Sequence, residues 1–376
     1  MPVPLPAADS TDLRPPDRAE VEQLSRGVTA AISASTGLTE IQRLLIAAVF
    51  EAMTGFPASF GAEPLSATGL AEALEARNAE FRSRIVQIMI LGALVLRPLP
   101  LEVAEHVAAY ARELSVDDGM LAVAQRFASG SLGLAAFDFE RNGYTSTWSA
   151  DDARALHTST ELAQAWDAAV HDPPLAARWE ALEKLEEGTL GRRVADFYRA
   201  RGFVYPGRPG SAPPLLAQHD WVHVLADYGT TVESELEVFA FIARANDDLH
   251  AFSLLAMVVS LFETGYLRTG AGLFERSPGH LSHAGMATRV ADAMRRGALC
   301  NGSIDFLRTD WFGLAPLSVE EVRRHFGVAP KSAAAVDAGS ADPWEPGGIT
   351  PFQTGAGQEL AAGQGRPYHS FGAAPR

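Results

Sequence analysis

A single cysteine, Cys300, stands in a chain of 376 residues. That excludes any intramolecular disulfide and any zinc cluster built on thiolates, so a metal site here must use histidine and carboxylate. Basic residues are scarce beside acidic ones: 31 Lys and Arg face 46 Asp and Glu, a formal net charge of −15. A field of that sign repels phosphate and excludes nucleic acid as a general partner. Long apolar runs are missing as well. The two most apolar stretches, Ile85–Leu96 and Ala251–Phe262, hold about a dozen residues each, short of the roughly 20 that span a bilayer as a helix. Both read as buried core helices. Met1–Pro16, MPVPLPAADSTDLRPP, has neither the basic start nor the apolar run of a secretory signal. The reading is a cytoplasmic chain, with peripheral contact at the inner face of the cytoplasmic membrane left open.

Sustained alternation of apolar and polar residues is almost absent, and helical spacing takes its place. Val21, Leu24 and Val28 mark a helix over Asp17–Ser33, and Leu38, Ile41, Leu45 and Val49 mark one over Leu38–Met53 that Gly55 and Pro57 end. Leu65–Leu96, Leu101–Leu114 and Asp117–Phe127 continue the pattern. A second block holds a helix over Leu156–Ala169, a break at Pro173-Pro174 and a further helix over Leu175–Leu185. The fold class is therefore all-α: a helical bundle domain carrying a metal motif, preceded by a separate helical domain. The boundaries read as a flexible N-terminus at 1–16, a helical domain of unknown role at 17–149, a metal-carrying domain at 150–329, and a disordered tail rich in Pro, Gly and Ala at 330–376.

Thr189 is placed to cap a helix whose stripe is Leu190, Val194 and Phe197, and Gly202 to stop it. Arg192, Arg193, Arg199, Arg201 and Arg208 form the densest basic cluster. A solvated helix face accounts for it, or contact with an anionic lipid head or substrate phosphate. Chemistry enters with Gln218-His219-Asp220-Trp221-Val222-His223, and with Glu235 twelve residues further on. At about 100° per residue, His219 and His223 lie some 40° apart on one helix face, one turn apart, as in helical pairs that grip a metal. Asp220 can join them or stand behind them. That helix should end at Asp227-Tyr228-Gly229, with Gly229 making the reversal. The next should start at a Thr230–Glu233 capping box, which leaves Glu235 to point back at the histidines. A zinc protease would need H-E-x-x-H, and Asp220 is one methylene short of that role.

His219, Asp220, His223 and Glu235 spell H-D-x-x-H-x(11)-E, and here the chain resembles the coenzyme Q biosynthesis protein 4 family, whose metal signature this is. Glu187-Gly188-Thr189-Leu190-Gly191-Arg192 resembles the family's opening segment. Arg295-Arg296-Gly297, Asp310-Trp311, Pro316-Leu317 and Glu321-Val322-Arg323-Arg324, closed by Gly327-Val328, resemble its final one. The resemblance spans about residues 175–328 and leaves the front domain and the tail outside. The stretch Arg268–Gly285 aligns poorly; its His280 and His283 would stand behind the metal ligands or, the reading taken, lie on a surface loop.

The resemblance implies ubiquinone biosynthesis: metal-dependent, oxidative decarboxylation at ring C1 of a polyprenyl hydroxybenzoate, with His219, Asp220, His223 and Glu235 as both catalytic residues and ligands. It implies zinc, with Fe2+, Mn2+ or Mg2+ also compatible with the donors. Implied partners are a polyprenylated quinone precursor or other isoprenoid lipid, other quinone-biosynthesis enzymes, and a membrane touched near Arg192, Arg193 and Arg199. Phe239, Ile242, Phe252, Leu255, Met257, Val258, Leu261 and Phe262 would line a groove for the prenyl tail or simply pack as core. A non-catalytic lipid-binding or scaffold subunit is the alternative reading, and a metallohydrolase the third. Two His and one carboxylate with open positions would resemble an oxygen-activating iron centre, whereas four closed ligands would suit structural zinc.

Overall fold

The computed structural model describes residues 16–131, 156–157, 171–246, 251–264 and 279–368. Among them no strand forms; the only β-type pairings are two isolated bridges, and the fold is all-α. No helix among these residues is long and apolar enough to cross a membrane.

The front helices are α1 (Arg18–Ile32), α2 (Glu40–Thr54), α3 (Ala67–Ala73), α4 (Ala79–Leu94), α5 (Leu101–Glu113) and α6 (Met120–Ala128). Asp17 caps α1, and Thr39 with Gln42 forms a capping box at α2, which Gly55 ends in the left-handed region at φ 74°. The long apolar pattern over 65–96 divides because Asn78 accepts the Phe81 amide and opens α4. From Ile85 to Leu94 every residue of α4 is buried, so it serves as the central helix against α1, α2, α5 and α6.

The chain then continues with α7 (Pro173–Ala181), a 3-10 turn over Leu182–Lys184, α8 (Leu190–Arg201), α9 (Gln218–Ala226), α10 (Val232–Ala245), α11 (Ala251–Phe262), α12 (Met286–Ala298), α13 (Trp311–Leu314), α14 (Val319–Phe326), α15 (Ala333–Asp337) and α16 (Pro351–Gly363). Pro173 and Pro174, read as a break, instead open α7 behind the Asp172 cap; the first turn has no use for their missing N–H groups. Thr189 and Gly202 cap α8 as expected. The helix expected over Leu156–Ala169 lies outside the described residues, apart from Leu156 and His157.

Two compact units emerge, and their boundaries differ from those read in the sequence. One unit combines the front helices with 239–246, 251–264 and 279–303, where α12 packs on α2 and α11 on α4. The other comprises 156–157, 171–238 and 304–368. The stretch 150–329 is thus divided, and the division falls inside α10. Long-range packing decides this, which local periodicity does not encode.

The tail differs most from its composition. Its described residues, 330–368, carry two capped helices: Ser332 caps α15, and Thr350 with Gln353 forms a capping box at α16. Glycines facing it allow close approach. A Cβ on Gly202 would meet the Ala356 carbonyl carbon at 2.6 Å, and one on Gly229 would meet the Gly348 Cα at 2.5 Å. Only bare backbone allows these segments to touch. Arg201, 0% exposed, ties the tail down: its Nη2 donates to Pro343 O at 2.8 Å and Gly348 O at 3.1 Å, and its Nε to Thr230 Oγ1 at 2.8 Å. Replacing Arg201 with Met leaves these acceptors buried without a donor, so urea unfolding should show a loss of about 2–4 kcal/mol. An unchanged midpoint and slope would refute the role.

Candidate metal centre

The centre lies wholly within the second unit, at the hairpin of α9 and α10. All nine residues of α9 are buried, so neither histidine faces water. Asp227, rather than Gly229, makes the reversal: it takes φ 59°, and Arg323 Nη2 pairs with its carboxylate at 2.5 Å. Asp is among the few residues that tolerate this region. The capping box expected at Thr230–Glu233 gives way to Thr231, whose hydroxyl accepts the Ser234 amide at 3.3 Å. Thr230 turns inward instead.

This geometry brings His219, His223 and Glu235 together, with one candidate ligand atom from each lying within 4.8 Å of the others. His219 Nε2 stands 3.3 Å from Glu235 Oε2, and His223 Nε2 stands 3.4 Å from Glu235 Oε1. His223 is 0% exposed and Glu235 3%. The His219 Nδ1 donates to Leu216 O, and the His223 Nδ1 donates to Tyr228 O at 3.2 Å. A carbonyl can only accept, which fixes the proton of each neutral ring on Nδ1 and turns both Nε2 atoms toward the carboxylate. Histidines that bind metal are commonly oriented in this way. His223 Nε2 is buried and, 3.4 Å from Glu235 Oε1, has no hydrogen-bond partner among the described residues. A divalent cation fits such a set: two imidazoles bring no charge, and buried carboxylate brings negative charge.

Asp220 stands beside this group, not in it. Its Oδ1 is 3.5 Å from His219 Nε2, and its Oδ2 accepts the Tyr198 hydroxyl. Tyr198, on α8, is the contributor that sequence reading missed, because nothing local links it to a residue 22 positions away. Phe197 stacks on His223 at 5.6 Å, and the Arg201 guanidinium lies 3.9 Å from the Phe197 ring centroid.

Electrostatics follow from burial. Burial alone would depress the His219 imidazole, but Asp220 and Glu235 outweigh it and raise its pKa to about 9. Burial would raise Glu235, yet His223 and His219 hold it down at about 2. Burial wins at Asp220, whose carboxyl is raised above the usual carboxylate range.

Other expected contributors are placed differently. Arg192 pairs with Asp196 at 3.1 Å, Arg199 with Asp196 and Glu183, and Arg208 with Glu180, while Arg193 lies over the Trp344 ring at 4.1 Å. Phe239, Ile242, Phe252, Leu255 and Val258 are buried as core of the other unit, each 3% exposed or less. The side chains of Met257, Leu261 and Phe262 lie outside the described ones. His280 and His283 also belong to the other unit.

No protein-family model matches the chain, and no curated protein does. Among solved structures it is similar to "a Putative ubiquinone biosynthesis protein" from Nostoc punctiforme PCC 73102, at 24% identity and a TM-score of 0.32, over 56% of this chain and 97% of that one. A likeness of that size carries nothing across to this chain.

In the metal-free protein His219 holds a proton through neutral pH, and a cation must displace it. Zn2+ affinity should therefore climb with pH, by up to tenfold per unit, and level off near pH 9. Calorimetry in buffers of different ionisation enthalpy should show about one proton released at pH 7. A flat pH profile would count against His219 as a ligand.

Proposed function

We propose that this chain is a metal-dependent protein of ubiquinone biosynthesis that removes the ring carboxylate at C1 of a polyprenyl hydroxybenzoate. The observation that carries the reading is the buried group of His219, His223 and Glu235 with both Nε2 atoms facing one carboxylate. The sequence blocks on either side of it, in the order of the family the chain resembles, supply the substrate class.

A divalent cation held by His219, His223 and Glu235 would supply positive charge to a bound carboxylate or phenolate as the C1–carboxylate bond breaks. The protein's own residues do the rest. Leu216 O and Tyr228 O hold the two imidazoles by their Nδ1–H groups. Tyr198 holds Asp220 through Oδ2, which leaves Oδ1 turned toward His219 Nε2 at 3.5 Å. In simple decarboxylation carbon dioxide leaves and the electron pair left at C1 takes up a proton; in the oxidative form C1 instead gains one oxygen of dioxygen as a hydroxyl, and the other leaves as water with two electrons and two protons from a reductant. The reading places the chain in the cytoplasm, meeting a membrane through its prenylated ligand, since Arg192, Arg193 and Arg199 already face internal partners.

One observation favours a second reading, a non-catalytic lipid-binding or scaffold subunit. The group is nearly sealed, with His219 the most exposed of the three at 8%. The two readings separate in one assay: purified protein loaded in turn with Zn2+, Fe2+ or Mn2+ and given a carboxyl-labelled polyprenyl hydroxybenzoate, with dioxygen and a reductant. Enzymatic action predicts labelled carbon dioxide, abolished in His219→Ala. Lipid retained with no release under any metal would replace the enzyme with the scaffold.

A further inference from the structure

The turn between the two metal-binding helices is built by residues far outside the motif. Gly229 N donates to Ala341 O at 3.0 Å and Thr230 N to Gly348 O at 2.9 Å. Thr230 Oγ1 donates to Gln353 Oε1 at 2.7 Å, and Gln353 Nε2 returns a bond to Thr230 O at 3.3 Å. Arg201 joins Thr230 Oγ1 to the carbonyls of Pro343 and Gly348. Lys331, paired with Asp342 at 2.7 Å, lies 5.4 Å from the Tyr228 ring centroid. Tyr228 O is the acceptor that orients His223. On the far side of the turn, Thr231 O receives the amide of Glu235 itself at 2.9 Å.

We infer that the C-terminal segment 331–353 is a positioning clamp for the metal centre, setting the separation of His223 from Glu235 through residues 228–231. The inference rests on the metal reading above. Contacts from Arg201, Ala341, Gly348 and Gln353 converge on Gly229 and Thr230, and each is made by a buried side chain or by backbone. Gln353 is 0% exposed, and both ends of its amide are engaged by Thr230. Gly348 lies so close to Gly229 that Gly229 cannot carry a side chain, and a Cβ on Gly348 would meet the Asp342 carbonyl oxygen at 1.8 Å. A turn held this way cannot spread without breaking several buried hydrogen bonds at once, so the clamp fixes the hairpin angle before any cation arrives. Outer contacts that orient ligands commonly govern metal affinity by 10–100-fold.

The test titrates the full chain with Zn2+ against a chromogenic chelator, at a temperature where circular dichroism reports a folded protein. Gln353→Leu removes the clamp's amide and keeps an apolar side chain of similar bulk. Phe352→Ala, on the same helix and 59% exposed, is the control. The clamp predicts Zn2+ binding weakened about tenfold or more in Gln353→Leu and unchanged in Phe352→Ala. A merely structural Gln353 would lower the thermal midpoint and leave the affinity of the folded protein as it was, which overturns the inference while leaving the metal reading intact. Equal binding by wild type and His219→Ala overturns both. Should Gln353→Leu fail to fold, hydrogen exchange on the wild type decides, because coupling is reciprocal. Zn2+ must then slow exchange of the Gly229 and Thr230 amides, and unchanged exchange refutes the clamp.

Discussion

The interaction on which the second unit depends is the burial of the Arg201 guanidinium. Taking a guanidinium out of water is costly unless its donors are all met, and burial pulls its pKa down to about 9, which still leaves it protonated at neutral pH. The molecule meets that cost with carbonyls from three separate places, Phe197, Pro343 and Gly348, and with the Thr230 hydroxyl. These four acceptors belong to three segments: the body of α8, the tail, which supplies two of them, and the turn before α10. A planar fork with fixed donor directions cannot satisfy all of them unless the segments stand at one mutual geometry. The cation thus specifies the arrangement as much as it stabilises it.

Charge in the centre follows from the same economy of water. Asp220 and Glu235 are both buried, and Arg201 is the fixed cation whose field reaches both. Without a metal the histidines supply what else is needed: His219 takes a proton and sits between the two acids, and Glu235 stays ionised because both rings face it. A bound dication would take over that role and release the proton. The site is therefore stable in two charge states, a property that suits a metal that is acquired after folding better than one on which folding depends.

The motif was legible because its information is local. Two histidines four residues apart share a helix face by geometry alone, and a glycine-containing turn brings the carboxylate twelve residues on back toward them. Capping was legible at Thr189 and Gly202 for the same reason. Where two chemically similar choices were adjacent, local rules did not decide: Thr231 caps α10 while Thr230 turns inward, and Asp227 takes the left-handed position while Gly229 supplies bare backbone for Gly348. Tyr198, Arg201 and Gln353 were beyond reach, since their partners lie 22 to 147 residues away. The unit boundary inside α10 depends likewise on distant contacts, such as that of Gly297 on α12, where a Cβ would meet Phe241 O at 2.4 Å.

The tail shows why composition misleads here. Pro and Gly together are the signature of a chain that cannot bury enough apolar surface to order itself. That argument assumes that order must come from side chains. In residues 330–368 it comes largely from backbone carbonyls received by Arg201, Gly229 and Thr230, and from glycines that let one backbone lie against another. Gly357, on α16, has no room for a Cβ beside the Ala200 carbonyl, and Gly229 has none beside Gly348. Such a segment needs a folded partner that presents donors, which α8 and the α9–α10 turn provide. Apart from that partner its composition would read correctly as disordered; docked on it, the same glycines become the contact surface. The order of the tail and the geometry of the metal centre are therefore one problem, solved by one set of hydrogen bonds.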